Sequence, residues 1–172
     1  MRALATIEVS LVVFVVLFLA ACGDRQDTVV RHAPEAIGSE DSCHVCGMSV
    51  ARFPGPKAQA FVSHREHSFK FCSTQDLFSW LLQPETAAIV QDVYVHDMGV
   101  TDWQTPADDA FVDATSAWYV SGHDQRGAMG PTLASFSERA AADAFSSRHG
   151  GRVLTFGEIN LDLLIGSATA QP

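Results

Sequence analysis

Residues 43–48 of the chain read Cys-His-Val-Cys-Gly-Met, which places two thiols and a thioether within six positions. Thiolate and thioether ligands together select Cu(I), whereas Zn(II) accepts thiolates but rarely methionine, and hard cations take neither. The stretch therefore predicts a Cu(I) site. Taken alone, the C-x-x-C spacing of Cys43 and Cys46 also fits a redox dithiol, half of a structural zinc site or a local disulfide. A redox motif of the thioredoxin kind opens a helix that lowers the thiol pKa, but here Gly47, Pro54, Gly55 and Pro56 follow and cannot open a long one. Structural zinc takes four ligands, which only Cys72 and a histidine could complete. A disulfide closing so short a loop gains little from chain entropy.

Apart from Met1, the methionines are Met48, Met98 and Met129, in the stretches C-G-M-S-V, H-D-M-G-V and G-A-M-G-P. Methionine serves a core as an adaptable gap-filler, so thioethers in loops flanked by glycine and polar residues read instead as candidate ligands. His96 stands two positions before Met98 and offers an imidazole to the same loop. Cys72 reads either as a ligand or as a small buried hydrophobe. The candidate ligands are thus Cys43, Cys46, Met48, Cys72, His96, Met98 and Met129, with His44, His64 and His67 read as solvent-exposed. No nucleophile elbow, zinc-protease helix, P-loop or dinucleotide fingerprint is present. The chain is expected not to be an enzyme.

These residues need elements to hold them. Residues 57–63 read as a strand, 64–67 as a turn and 68–72 as a second strand with alternating phenylalanines. Ser73 or Thr74 then caps a helix to Leu82, with Leu77, Phe78, Leu81 and Leu82 on one face and Pro84 beyond it. A third strand covers 89–96. The order recurs with strands at 117–122 and 132–136, a helix capped by Ser137 that runs to about Arg148, the pair Gly150-Gly151, and a closing strand at 152–156. The expected fold class is α+β, with two similar ββαβ units, 42–105 and 106–166, packed together because either alone would have a marginal core. Residues 167–172 read as a frayed tail.

The N-terminus reads as an address. Leu11 to Ala21 form an uncharged apolar run of eleven residues, too short for a helix to cross a bilayer core of roughly 30 Å, and fit the h-region of a signal peptide. Leu19-Ala20-Ala21-Cys22 has the form of a lipobox. Residues 1–21 are then a lipoprotein signal peptide, Cys22 the lipidated residue, and 22–41 a tether from the membrane. Lipidation leaves Cys43, Cys46 and Cys72, an odd number that cannot all pair internally. The net charge of −9 over 172 residues, with no run of Lys or Arg, argues against a nucleic-acid partner.

The lipobox, C-H-V-C-G-M, F-C-S-T-Q-D-L-F, V-H-D-M-G, A-W-Y-V-S-G, G-A-M-G-P and a last helix ending in G-G, taken in that order, resemble the NosL family, copper-binding accessory lipoproteins of nitrous oxide reductase. The resemblance implies a monomeric Cu(I) chaperone on the periplasmic side, with a fold likened to organomercurial lyase. It would work beside the Nos ABC-transporter complex to supply copper to the reductase. The residues it puts at stake are Cys46, Met48 and Met98, then Cys43, Cys72, His96 and Met129. The rival readings are a thiol-redox lipoprotein using Cys43 and Cys46 and a structural zinc-binding interaction module.

Overall fold

The structure is a computed structural model that describes residues 31–169, with side chains to Gly166. The signal peptide, Cys22 and the first part of the tether lie outside these residues. The element order is β1 (Ala58–Val62), β2 (Phe69–Phe71), α1 (Thr74–Leu81), β3 (Val90–His96), β4 (Phe111–Asp113), β5 (Trp118–Ser121), β6 (Ala134–Phe136), α2 (Arg139–His149), β7 (Arg152–Thr155) and α3 (Leu161–Thr169). Two antiparallel sheets result, in the orders β2-β1-β3-β4 and β6-β5-β7. The expected α+β class with two paired units holds.

In the first unit, β1 forms the expected hairpin with β2, in a register that sets Ala58 opposite Phe71 and Ala60 opposite Phe69. Strand β1 also pairs with β3, with Ala58 opposite Val95. Ser73 caps α1 by accepting from Asp76 N at 3.1 Å, the arrangement that stabilises a helix start. The apolar face of α1 buries Leu77 and Phe78 completely. Phe78 meets Tyr119 of β5 edge to face at 5.2 Å. One core, which also includes Leu133, Leu154 and Leu164, thus serves both units.

Helix α2 begins one residue later than the sequence suggests, with Glu138 rather than Ser137 at its N-cap. The Ser137 hydroxyl is engaged elsewhere, donating to the Asp97 carboxylate. At the far end Gly151 takes φ +92°, and a Cβ there would lie 2.6 Å from Ser121 O. Only glycine fits this close approach.

Two elements were not legible in the sequence. Strand β4 has three residues, too few for an alternation to show, and joins the first sheet by pairing Val112 with Val95 and Phe111 with His96. Part of the stretch assigned to the second unit therefore completes the sheet of the first. Helix α3 runs to Thr169, into the stretch read as a frayed tail, and Leu164 is buried against the shared core.

Residues 31–41, read as the end of the tether, are pinned to the first sheet. His32 sits 2.9 Å from the Asp92 carboxylate and stacks on Phe61 at 4.5 Å. Glu35 accepts from Lys70 Nζ at 2.9 Å and from Ser68 Oγ at 2.7 Å. The hydrogen-bonded partners Asp92, Ser68 and Lys70 lie more than thirty positions away, so no local pattern announces the attachment.

Candidate metal centre

The Cys43–Met48 stretch is a tight knuckle. Cys43 N donates to Met48 O and Gly47 N to Cys43 O, both at 2.8 Å, and Gly47 takes φ +72°, in the left-handed region open to glycine. The knuckle is fastened to the sheet through His44 N, which donates to Lys70 O at 2.8 Å. Its imidazole stacks on Phe69 at 3.7 Å and meets Trp80 edge-on. His44 therefore braces the loop while its residue stays exposed, as expected.

Cys72 arrives from a different segment, at the junction between β2 and the Ser73 cap of α1. Its Sγ lies 3.4 Å from Cys46 Sγ and donates to Asp76 Oδ2 at 3.0 Å. Cys43 Sγ stands 3.8 Å from the same oxygen. Ser73 Oγ is hydrogen-bonded to it as well, at 3.0 Å. The ligand atoms of Cys43, Cys46, Cys72 and Asp76 all lie within 4.8 Å of one another. All three thiols are free. Cys43, Cys72 and Asp76 are buried and Cys46 is half-buried, so the cluster opens toward solvent at Cys46.

Electrostatics divide the thiols. A hydrogen bond from Cys72 is the largest influence on Cys43 and pulls it down to about 5, against the opposing effect of burial. The same bond, then burial and the Asp76 carboxylate, push Cys72 far up. Burial also raises Cys46. The cluster thus holds a thiolate at Cys43 and a proton on Cys72, which an incoming soft cation would displace.

The other candidates lie in different settings. Met48 is half-buried and closes the knuckle through its carbonyl. Met129 is 56% exposed, next to Ala128, which packs against Cys43, Val50 and Cys72. Met98 is packed against the core of the second unit with Val120, Phe136 and Phe145. His96 is fully buried against Phe111 at 4.0 Å. Its Nδ1 accepts from Lys57 N at 3.1 Å; the proton of the neutral ring then sits on Nε2, and neither nitrogen offers a free lone pair. The H-D-M-G stretch instead joins the units: His96 O accepts from Ser135 Oγ at 2.6 Å, and Met98 N donates to Ser135 O at 2.8 Å.

The NosL family model matches residues 34–164, which include every residue of this cluster. The chain belongs to the NosL family. It is 45% identical over 161 residues to the copper-binding lipoprotein NosL of Stutzerimonas stutzeri, covering 94% of this chain and 84% of that one. Identity to the copper-binding lipoprotein NosL of Achromobacter cycloclastes is 34% over 152 residues, covering 87% and 78%. The crystal structure of the copper chaperone NosL from Shewanella denitrificans superposes with a TM-score of 0.76 at 44% identity, over 77% of this chain and 99% of that one.

In this NosL chain, sequence reasoning missed Asp76. The signal was present, because Cys72 and Asp76 stand four apart across a helix start, and a carboxylate at the third helical position turns back toward the cap. Among the described residues no helix is long and apolar enough to cross a membrane.

Proposed function

We propose that this NosL-family protein is a Cu(I) carrier, lipid-anchored through Cys22 on the periplasmic side, that delivers copper for the copper centres of nitrous oxide reductase. The observation that carries this reading is the convergence of three reduced thiols at 4.8 Å or less, with one edge open at Cys46. Cys43, Cys46 and Cys72 hold the ion as thiolates. Met48 and Met129 offer thioethers from the loops that border them.

A carrier must release its cargo without freeing an ion. Low-coordinate Cu(I) satisfies this, since an entering ligand can bind at the Cys46 edge before Cys43 and Cys72 let go. A closed tetrahedral site would oppose such exchange. The ion leaves unchanged, so no catalysis is involved. The partners are the reductase and the Nos ABC-transporter complex, and the carrier acts as a monomer. The domain's acidic balance, −9 overall, steers it toward basic surfaces.

The test is anaerobic titration of the reduced full chain in detergent with Cu(I) against a competing Cu(I) chelator, comparing wild type with Cys46→Ser and Met48→Leu. Tight binding of one Cu(I), lost in Cys46→Ser and weakened in Met48→Leu, is the expected result. Weak binding indifferent to both substitutions would return the cluster to a redox or structural role.

A further inference from the structure

Lys57 is a lysine where lysine is costly. It is 2% exposed, and burial of a lone ammonium carries a large desolvation cost unless a negative charge compensates it. Its Nζ donates to the carbonyls of Phe53, Pro54 and Gly55 at 2.5, 3.0 and 2.9 Å. Carbonyl dipoles orient the ammonium and satisfy its protons; they do not neutralise it. Among the described residues no carboxylate is paired with it, and a negative charge on Cys72 would favour its charged form.

The sheet register explains why. Strand β1 sets Ala58 opposite Phe71 as the last pair of the ladder, and continuing that register one residue further brings Lys57 beside Cys72. Directly opposed residues of an antiparallel ladder share a face, with Cβ atoms about 5 Å apart. Lys57 is thereby tied to the site by strand pairing. On its other side it is hydrogen-bonded to His96, through Lys57 N to His96 Nδ1 and His96 N to Lys57 O, both at 3.1 Å. The backbone of Lys57 is thus fixed at the sheet edge, and its ammonium is fixed by the three carbonyls.

We propose that Lys57 is the fixed counter-charge of the thiolate cluster and sets its preference for monovalent over divalent soft ions. This rests on the reading of Cys43, Cys46 and Cys72 as ligands of Cu(I). Three thiolates around Cu(I) leave a net charge of minus two, whereas the same thiolates around a divalent ion leave minus one. A neighbouring positive charge in a poorly solvated setting favours the more negative complex, and at separations of several ångströms one unit of charge changes the affinity about tenfold or more. The buried lysine thus counters the advantage that a divalent ion such as zinc would otherwise gain from its second charge.

The experiment uses the reduced full chain in detergent, titrated anaerobically with Cu(I) and, separately, with Cd(II), each against a competing chelator. Wild type is compared with Lys57→Gln, which keeps donors for the carbonyls, and with Lys57→Met, the fold of each being checked by circular dichroism. Both variants should lose about tenfold more affinity for Cu(I) than for Cd(II). Equal losses for the two ions, as a purely structural lysine would give, or no loss for either, would overturn the counter-charge. Failure of wild type to bind Cu(I) would overturn the copper reading itself, and the inference with it.

Discussion

Cys46 Sγ and Cys72 Sγ are 3.4 Å apart although 26 positions separate them in the chain. The close thiol pair therefore joins the knuckle to the start of α1, crossing the C-x-x-C motif rather than completing it. Closing that pair would lock two segments together and remove two ligands from the site.

Mild oxidation of the metal-free chain with diamide should accordingly give a Cys46–Cys72 disulfide, with Cys43 left free. Peptide mapping by mass spectrometry reads the connectivity. A dominant Cys43–Cys46 bridge would show that the knuckle rearranges more readily than the structure implies. Cu(I) bound beforehand should protect both thiols.

Asp76→Asn tests the carboxylate that accepts from Cys72 at 3.0 Å. The Cys43 hydrogen bond, burial and Asp76 together push Cys72 up, so removing the charge should bring its thiol down. Thiolate ultraviolet absorbance against pH should show one transition moving to lower pH. Asp76 N still donates to Ser73 Oγ in the variant, which limits the loss of stability to about 1 kcal/mol. An unmoved titration would separate Asp76 from the thiols electrostatically.

His96 should matter for folding and not for copper. Burial, aided by the Lys57 charge, lowers it to about 3, while an unfolded histidine titrates near about 6.5. The unfolded chain then binds the extra proton between these values. Stability is therefore full above pH about 6.5 and declines as pH falls toward about 3. His96→Asn, whose side-chain oxygen can accept from Lys57 N, should flatten the fall in Tm across that window and leave Cu(I) affinity within about twofold. A loss of affinity of tenfold or more would make the imidazole a ligand after all.

Glu35 governs the strap at 31–41. Burial pushes its carboxyl up, but hydrogen bonds from Lys70, His67 and Ser68 outweigh this and hold it at about 2. A folded pKa below the unfolded value of about 4.3 contributes stability above that pH and loses it as pH falls toward about 2. Glu35→Gln should destabilise the domain by about 1 kcal/mol at neutral pH, with faster amide exchange over residues 31–41. Unchanged exchange there would mean that the contacts of His32 with Asp92 and Phe61 suffice to hold the strap.

The sequence by itself determined the chemistry on offer and the local elements. Three sulfurs in six residues offer soft ligands, a preference that ligand type alone expresses. The alternating Phe69 and Phe71 and the capped apolar face of α1 specify a hairpin followed by a helix, because strand and helix periods are written in neighbouring residues. What the tertiary structure decided is which of those ligands meet. Cys72 reaches Cys46 because β2 runs antiparallel to β1 and ends beside the knuckle. The same strand pairing delivers Lys57 to the site, and the helix cap adds Asp76. Met98 and His96 promised ligands by type, yet they turn into the packing between the two units. Periodicity is a property of adjacent residues. The meeting of residues far apart in sequence follows from sheet register and shared burial, which no single segment encodes.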